Sequence, residues 1–280
     1  NLDITTSGLK AYGVAIQRNS ELDVANTKIV TGGQTAYGLT AQTGSKLEAT
    51  NILATTTGEG SFGIRVLDAD TQVDVSSGSF RTDGVGADGV NVTTGAVVNI
   101  AHEDGALNTR ITTTGAEAVA LHALNGGTIN ASGADVRTLG NGSHAVVAAG
   151  GSTVNLTGGG FNPNGTGAHG VVASGGSTVT MNSSIFQVFG ADSHGVSLAN
   201  DSIVIAERSF IGSYAPALKT ESGNVVYDLR NGTQVVGTYG TVLSAASGST
   251  TLTADGNVQL SGDMVVEADG AVIDATLSNK

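Results

Sequence analysis

The sequence predicts an all-β chain folded as a single-stranded parallel β-helix (a solenoid) of about ten coils of about 25 residues. Three observations predict it. His144, His169 and His194 stand at intervals of 25, each followed by a small residue and then Val. Around them apolar positions alternate with unrestricted ones at a period of two, the pattern of a half-buried strand. Between the alternating stretches lie pairs such as Gly150-Gly151, Gly175-Gly176 and Asn200-Asp201. Such residues tolerate positive φ and can turn a corner.

The same ruler extends over most of the chain. Coils begin near Tyr12, Tyr37, Phe62, Asp88, Val119, His144, His169, His194, Pro216 and Thr241, spaced by 25 or 26 except for a 31 after Asp88 and a 22 after His194. Two positions after each start an aliphatic residue recurs, from Val14 to Leu243, and begins the first strand. A second strand carries inward pairs such as Leu22/Val24, Val154/Leu156, Val179/Met181 and Ile203/Ile205, with Tyr227/Leu229 in the ninth coil. A third, weaker strand contributes Ile29, Ile52, Phe80, Ile111, Val136, Phe161, Phe186 and Val235. No 3.6-residue periodicity appears, and a β-propeller would require larger blades of antiparallel hairpins.

From Gly256 the pattern loosens into strand-turn units of about ten residues, with Val272 inward and Asp274 as an exception. The expected division is a β-helix rod over 1–255 and a continuation over 256–280 with shorter or flatter coils. The end at Lys280 without a capping element leads to the expectation of a further module beyond it.

Composition narrows the function classes. Glycine is 42 of 280 residues without a strict three-residue period, and only two prolines occur, which excludes collagen and argues against a disordered linker. Aromatics are 4 %, so the interior must be built from Val, Ile, Leu and Ala. The 12 basic residues are scattered singly against 24 acidic ones, so no nucleic-acid partner is expected. No apolar run reaches the length of a membrane helix, and no leader pattern opens the sequence. Cysteine is absent, compatible with a rod whose continuous core needs no disulfides and with a chain that crosses a membrane unfolded.

The blocks AHGVVASGGSTVTM (168–181), HAVVAAGGSTVNLTGG (144–159) and AYGLTAQTGSKLEATN (36–51) resemble the passenger domains of pertactin-like and AIDA-type bacterial autotransporters. Residues 235–280 resemble the segment that, in that family, leads into a C-terminal folding module. The resemblance implies a right-handed β-helix exported by type V secretion and displayed on a Gram-negative surface. It also implies anchorage of the parent protein through an outer-membrane barrel. Neither that barrel nor the folding module is within this sequence, and there is no Arg-Gly-Asp triplet.

Four constellations could carry chemistry. The His144/His169/His194 column could share a metal or titrate near neutral pH. The bland alternative is a slot for a flat ring, and it is favoured because Tyr12, Tyr37 and Phe62 occupy the same place in earlier coils. Asp23, Glu48 and Asp74, continuing as Asn99, Asn130 and Asn155, form an outward column that reads as a calcium site or as a solvated edge with an asparagine ladder. No calcium-binding nonapeptide repeat accompanies it. Asp68, Asp70, Asp74, Asp83 and Asp88 are the densest carboxylates, yet corner and turn positions need not converge as glycan-cleaving enzymes require. Finally, the 31-residue coil contains an insertion over 101–110, in which His102, Glu103, Asp104, Asn108 and Arg110 are candidate binding residues.

The expected function is a non-catalytic surface rod, an adhesin or self-association element, without cofactor or metal. Its partners would be a host cell-surface or matrix component, glycans, or another copy on a neighbouring cell. The alternatives are a polysaccharide-acting β-helix lyase or hydrolase, or a glycan binder of the phage-tailspike kind.

Overall fold

A computed structural model describes residues 2–101 and 108–278, and every described strand pairs in parallel with its equivalents one coil away. One coil is formed by Val146–Ala149, Thr153–Thr157 and Gly160–Pro163; the next by Val171–Ser174, Thr178–Asn182 and Ile185–Val188. Their registers, Val146↔Val171, Val154↔Val179 and Phe161↔Phe186, all advance by 25. The result is a β-solenoid of about 11 turns, with no helix among the described residues.

Period-two alternation places Val, Ile, Leu and Ala inside, where nearly all are fully buried from Leu39 to Leu252. No single coil can cover its own apolar face; the coil above and the coil below supply the partner surface. Phe161 and Phe186 stack at 4.5 Å between centroids within this core, and Tyr227 fills the ninth coil with its hydroxyl donating to the Lys219 carbonyl at 2.5 Å.

Register corrects several inward assignments. In the eighth coil Val204 and Ala206 face inward, paired with Val179 and Met181, whereas Ile203 and Ile205 are only partly buried. The run IVIA is apolar on both faces, so alternation alone could not fix its phase. In the third-strand column the neighbour of Ile29 is Ala54, while buried Ile52 pairs with Thr27. After Gly256 the coils are not ten-residue units. Gln259–Ala268 pairs with Gln234–Ala245 at an offset of 25 through Gln234↔Gln259, and Val272–Ser278 pairs with Ser249–Asp255 at 23. These strands complete a further full-length turn. Ile273, opposite buried Thr250, faces the core there, and Val272 is 67 % exposed.

The corners follow from φ. Gly150, Gly151, Gly175, Gly176, Asn200 and Asp201 all have positive φ, as the first corner requires. At the third corner glycine is needed for close approach instead. A Cβ on Gly140 would lie 1.9 Å from the Gly115 carbonyl oxygen, and one on Gly165 would lie 1.9 Å from that of Gly140. Beside this spine, buried Thr113 Oγ1 donates to the Ala118 carbonyl at 2.9 Å, and Ser143 Oγ accepts the Ala118 N–H at 3.0 Å, so side chains satisfy the polar groups of the turn.

Candidate functional site

The rings of the coil-start column are stacked. Tyr12 and Tyr37 lie 5.0 Å apart, Tyr37 and Phe62 5.1 Å, His144 and His169 4.9 Å, and His169 and His194 4.9 Å, with interplanar angles of 5° to 14°. The coil spacing dictates this separation. Backbone groups occupy the imidazoles. The His169 N–H donates to His144 Nδ1 at 3.0 Å, and the His194 N–H donates to His169 Nδ1 at 2.9 Å. Both Nδ1 atoms therefore carry no proton, and the rings are neutral Nε2–H tautomers. His194 Nδ1 lies 3.1 Å from the Pro216 carbonyl, an acceptor only, and so carries a proton. Burial, reinforced by His122, lowers the pKa of His144 to about 4. Burial, then the adjacent His144 and His194 and Lys219, lowers that of His169 to about 3.

A zinc ion bonded to two imidazoles needs their nitrogens within about 4.2 Å. Parallel rings 4.9 Å apart with Nδ1 occupied do not converge on one point. Among the described residues no three His, Asp or Glu side chains gather as a metal site would need.

The outward column of the second strand runs in register from Asp23 through Glu48, Asp74, Asn99 and Asn130 to Asn155. Its lower half is a relay: Asn155 Nδ2 donates to Asn130 Oδ1 at 2.8 Å, Asn130 to Asn99 at 2.8 Å, and Asn99 to Asp74 Oδ1 at 2.6 Å. Asn130 and Asn99 each donate up one rung and accept from the rung below. Glu48 is paired with Lys46 at 2.6 Å.

The other carboxylates separate onto different features. Asp68 and Asp70 are positive-φ corner residues, and Asp83 pairs with Arg81 at 2.8 Å. Asp88 is buried in the ring column, where no aromatic fills the slot. It accepts the Val119 N–H at 2.9 Å and Asn91 Nδ2 at 2.7 Å, and lies 2.8 Å from His122 Nδ1. An Asp–His pair can orient a general base, but among the described residues no hydroxyl hydrogen-bonds His122 as a nucleophile would. The sequence reading placed Asp88 in this slot without its partners, because His122 lies 34 residues away.

Of the insertion residues, His102, Glu103 and Asp104 lie outside the described residues. Asn108 and Arg110 line an open groove of about 1140 Å³ along the bend between the second and third strands. Arg110 pairs there with Asp135 of the next coil at 3.0 Å.

A fifth feature was not recognised from sequence. Phe189, Tyr214 and Tyr239 are exposed, Tyr239 by 75 %, and form a column at the third corner. Phe189 and Tyr214 meet edge-on at 5.9 Å, and Tyr214 and Tyr239 at 5.5 Å. The signal was available: Leu139, Asn164, Phe189, Tyr214 and Tyr239 repeat every 25 residues, so the ruler applied one position before the corner would have found it.

No family model matches this chain, and no curated protein matches it. A solved chain from the cryo-EM structure of the Vag8–C1 inhibitor complex superimposes with a TM-score of 0.78, covering 99 % of this chain and 72 % of that one. The two chains share the β-helix fold. Sequence identity is 19 %, so the likeness establishes the shared fold alone.

Proposed function

We propose that the chain is a surface-displayed, non-catalytic passenger rod that acts as an adhesin or self-association element. The observation that carries this reading is the exposed column of Phe189, Tyr214 and Tyr239. A chain with five tyrosines, six phenylalanines and no tryptophan places three of its rings together on the outside, at regular rungs of a rigid scaffold. Aromatic rings exposed side by side are the kind of surface that partner proteins bury. The matched Vag8 structure, that of a Bordetella autotransporter passenger, contains a protein partner, which supports the same mode and an extracellular or cell-surface location.

The non-catalytic part of the proposal rests on the separation of Asp68, Asp70, Asp74, Asp83 and Asp88 onto different corners and faces. The test is display of the rod on a non-adherent bacterium, scoring attachment to host matrix and cell–cell clumping. The rod should confer one or both. Cells that neither attach nor clump despite full surface expression contradict the proposal.

A further inference from the structure

The two kinds of ring column on this rod differ in what they leave open. In Tyr12/Tyr37/Phe62 and His144/His169/His194 the planes lie within 14° of each other, so neighbouring rings cover one another's faces. Phe189, Tyr214 and Tyr239 stand 5.9 and 5.5 Å apart but are inclined by 65° and 53°, which leaves ring faces uncovered by their neighbours. Tyr239 also sits on an irregularity of the ladder. The pairing of Gln234–Ala245 with Gln259–Ala268 slips between Gly237 and Thr241, and the side chain that projects there is 75 % exposed. A bulge of this kind re-aims a side chain.

The hydroxyls are open as well. Those of Tyr37 and Tyr227 are engaged, with Arg65 and with the Lys219 carbonyl, whereas those of Tyr214 and Tyr239 have no hydrogen-bond partner among the described residues. The segments that carry the rings, 187–191, 212–217 and 237–241, contain no Lys, Arg, Asp or Glu, in a chain with 12 basic and 24 acidic residues. Gly190, Ala191, Ala215, Gly237 and Gly240 flank the rings, so little bulk stands beside them.

We propose that this column binds a neutral, extended oligosaccharide lying along the rod, one sugar to a ring. The proposal rests on the adhesive reading above and names one ligand class for it. An extended pyranose chain rises by close to one rung per sugar, so successive units can meet successive rings. The polarised C–H bonds on the face of a sugar are attracted to the negative face of an aromatic ring. The two free phenol hydroxyls can exchange hydrogen bonds with sugar hydroxyls at the rim. Neutrality follows from charge: no cation stands on these segments, and the rod carries −12, which repels polyanions. Area favours a small ligand over a folded protein or a second copy of the chain. The three rings, 45 %, 43 % and 75 % exposed, offer about 300 Å². A stable protein interface takes about 800 Å² from each partner, so a protein would have to reach well beyond the rings onto corners of glycine and alanine.

The experiment measures binding of the purified chain to immobilised cellohexaose, mannohexaose, chitohexaose and a hyaluronan fragment, beside the variants Y214A, Y214F and F189A. At least one neutral hexasaccharide should bind, and Y214A, which removes the central ring, should lower its affinity by about tenfold or more at an unchanged thermal midpoint. Y214F keeps the ring and should retain more binding than Y214A; an equal loss would overturn recognition by ring faces. F189A removes an end ring and should weaken the same interaction, so the proposal remains testable if Y214A folds poorly. It is overturned if no neutral glycan binds, if hyaluronan alone binds, or if Y214A and F189A both bind as the parent does. A displayed rod whose adhesion needs the three rings while the purified chain ignores every glycan refutes the oligosaccharide and leaves the adhesive reading intact. Glycan binding that Y214A abolishes, without adhesion of the displayed rod, does the reverse.

Discussion

The histidine column makes a quantitative statement about acid stability. In the folded chain His144 titrates at about 4 and His169 at about 3, against an ordinary value of 6.5, chiefly because the half-buried rings resist charging. As pH falls below 6.5 the unfolded chain takes up these protons first, so stability present at neutral pH is lost until the folded values are reached. Each pH unit in that window costs about 1.4 kcal/mol per histidine. Between about pH 7.5 and about 4.5 the pair accounts for a loss of about 5 kcal/mol. The variant H144Y/H169Y replaces both rings with one that fills the same slot at Tyr12 and Tyr37 and does not titrate in this range. It loses two N–H···Nδ1 bonds, worth about 1 kcal/mol each at any pH, so the informative quantity is the slope. Equilibrium unfolding in guanidinium, followed by circular dichroism, should show the parent losing several kcal/mol more than the variant over that pH range. Equal losses would refute the reasoning, because carboxylates contribute to both proteins alike.

Gly140→Ala should be destabilising by about 3 kcal/mol or more, since its Cβ would sit 1.9 Å from the Gly115 carbonyl oxygen, whereas Gly160→Ala should be nearly neutral; thermal melts of the two variants check the contrast. Asp88→Ala strips acceptors from the Val119 N–H, Asn91 and His122 and should cost about 2–3 kcal/mol in chemical denaturation. Zinc should leave the melting temperature of the parent unchanged in calorimetry, because stacked rings 4.9 Å apart do not share an ion.

Much of the solenoid was legible because coil stacking imposes one length on most turns. Val14, Leu39 and Ile64 mark the same inward position whether read from the 25-residue period or from the observed register. Legibility failed where local pattern could not fix the phase. IVIA at 203–206 is apolar on both faces, and in 256–278 the glycines at 256, 262 and 270 punctuate the alternation, so its full-length strands read as short units. The glycine spine was invisible for another reason: in a sequence with 42 glycines, a glycine demanded by carbonyl contact looks like one demanded by φ. At the candidate site, stacking of His144, His169 and His194 could be anticipated from spacing. Their tautomers could not, because these depend on backbone N–H groups one coil away.

The adhesive surface is tested most directly by displaying the rod beside the variant F189S/Y214S/Y239S and measuring attachment and clumping at equal surface expression. The exposed rings support little of the core, so the variant should keep the parent's melting temperature while losing most of its adhesion. A variant that folds normally and adheres as well as the parent would contradict the account.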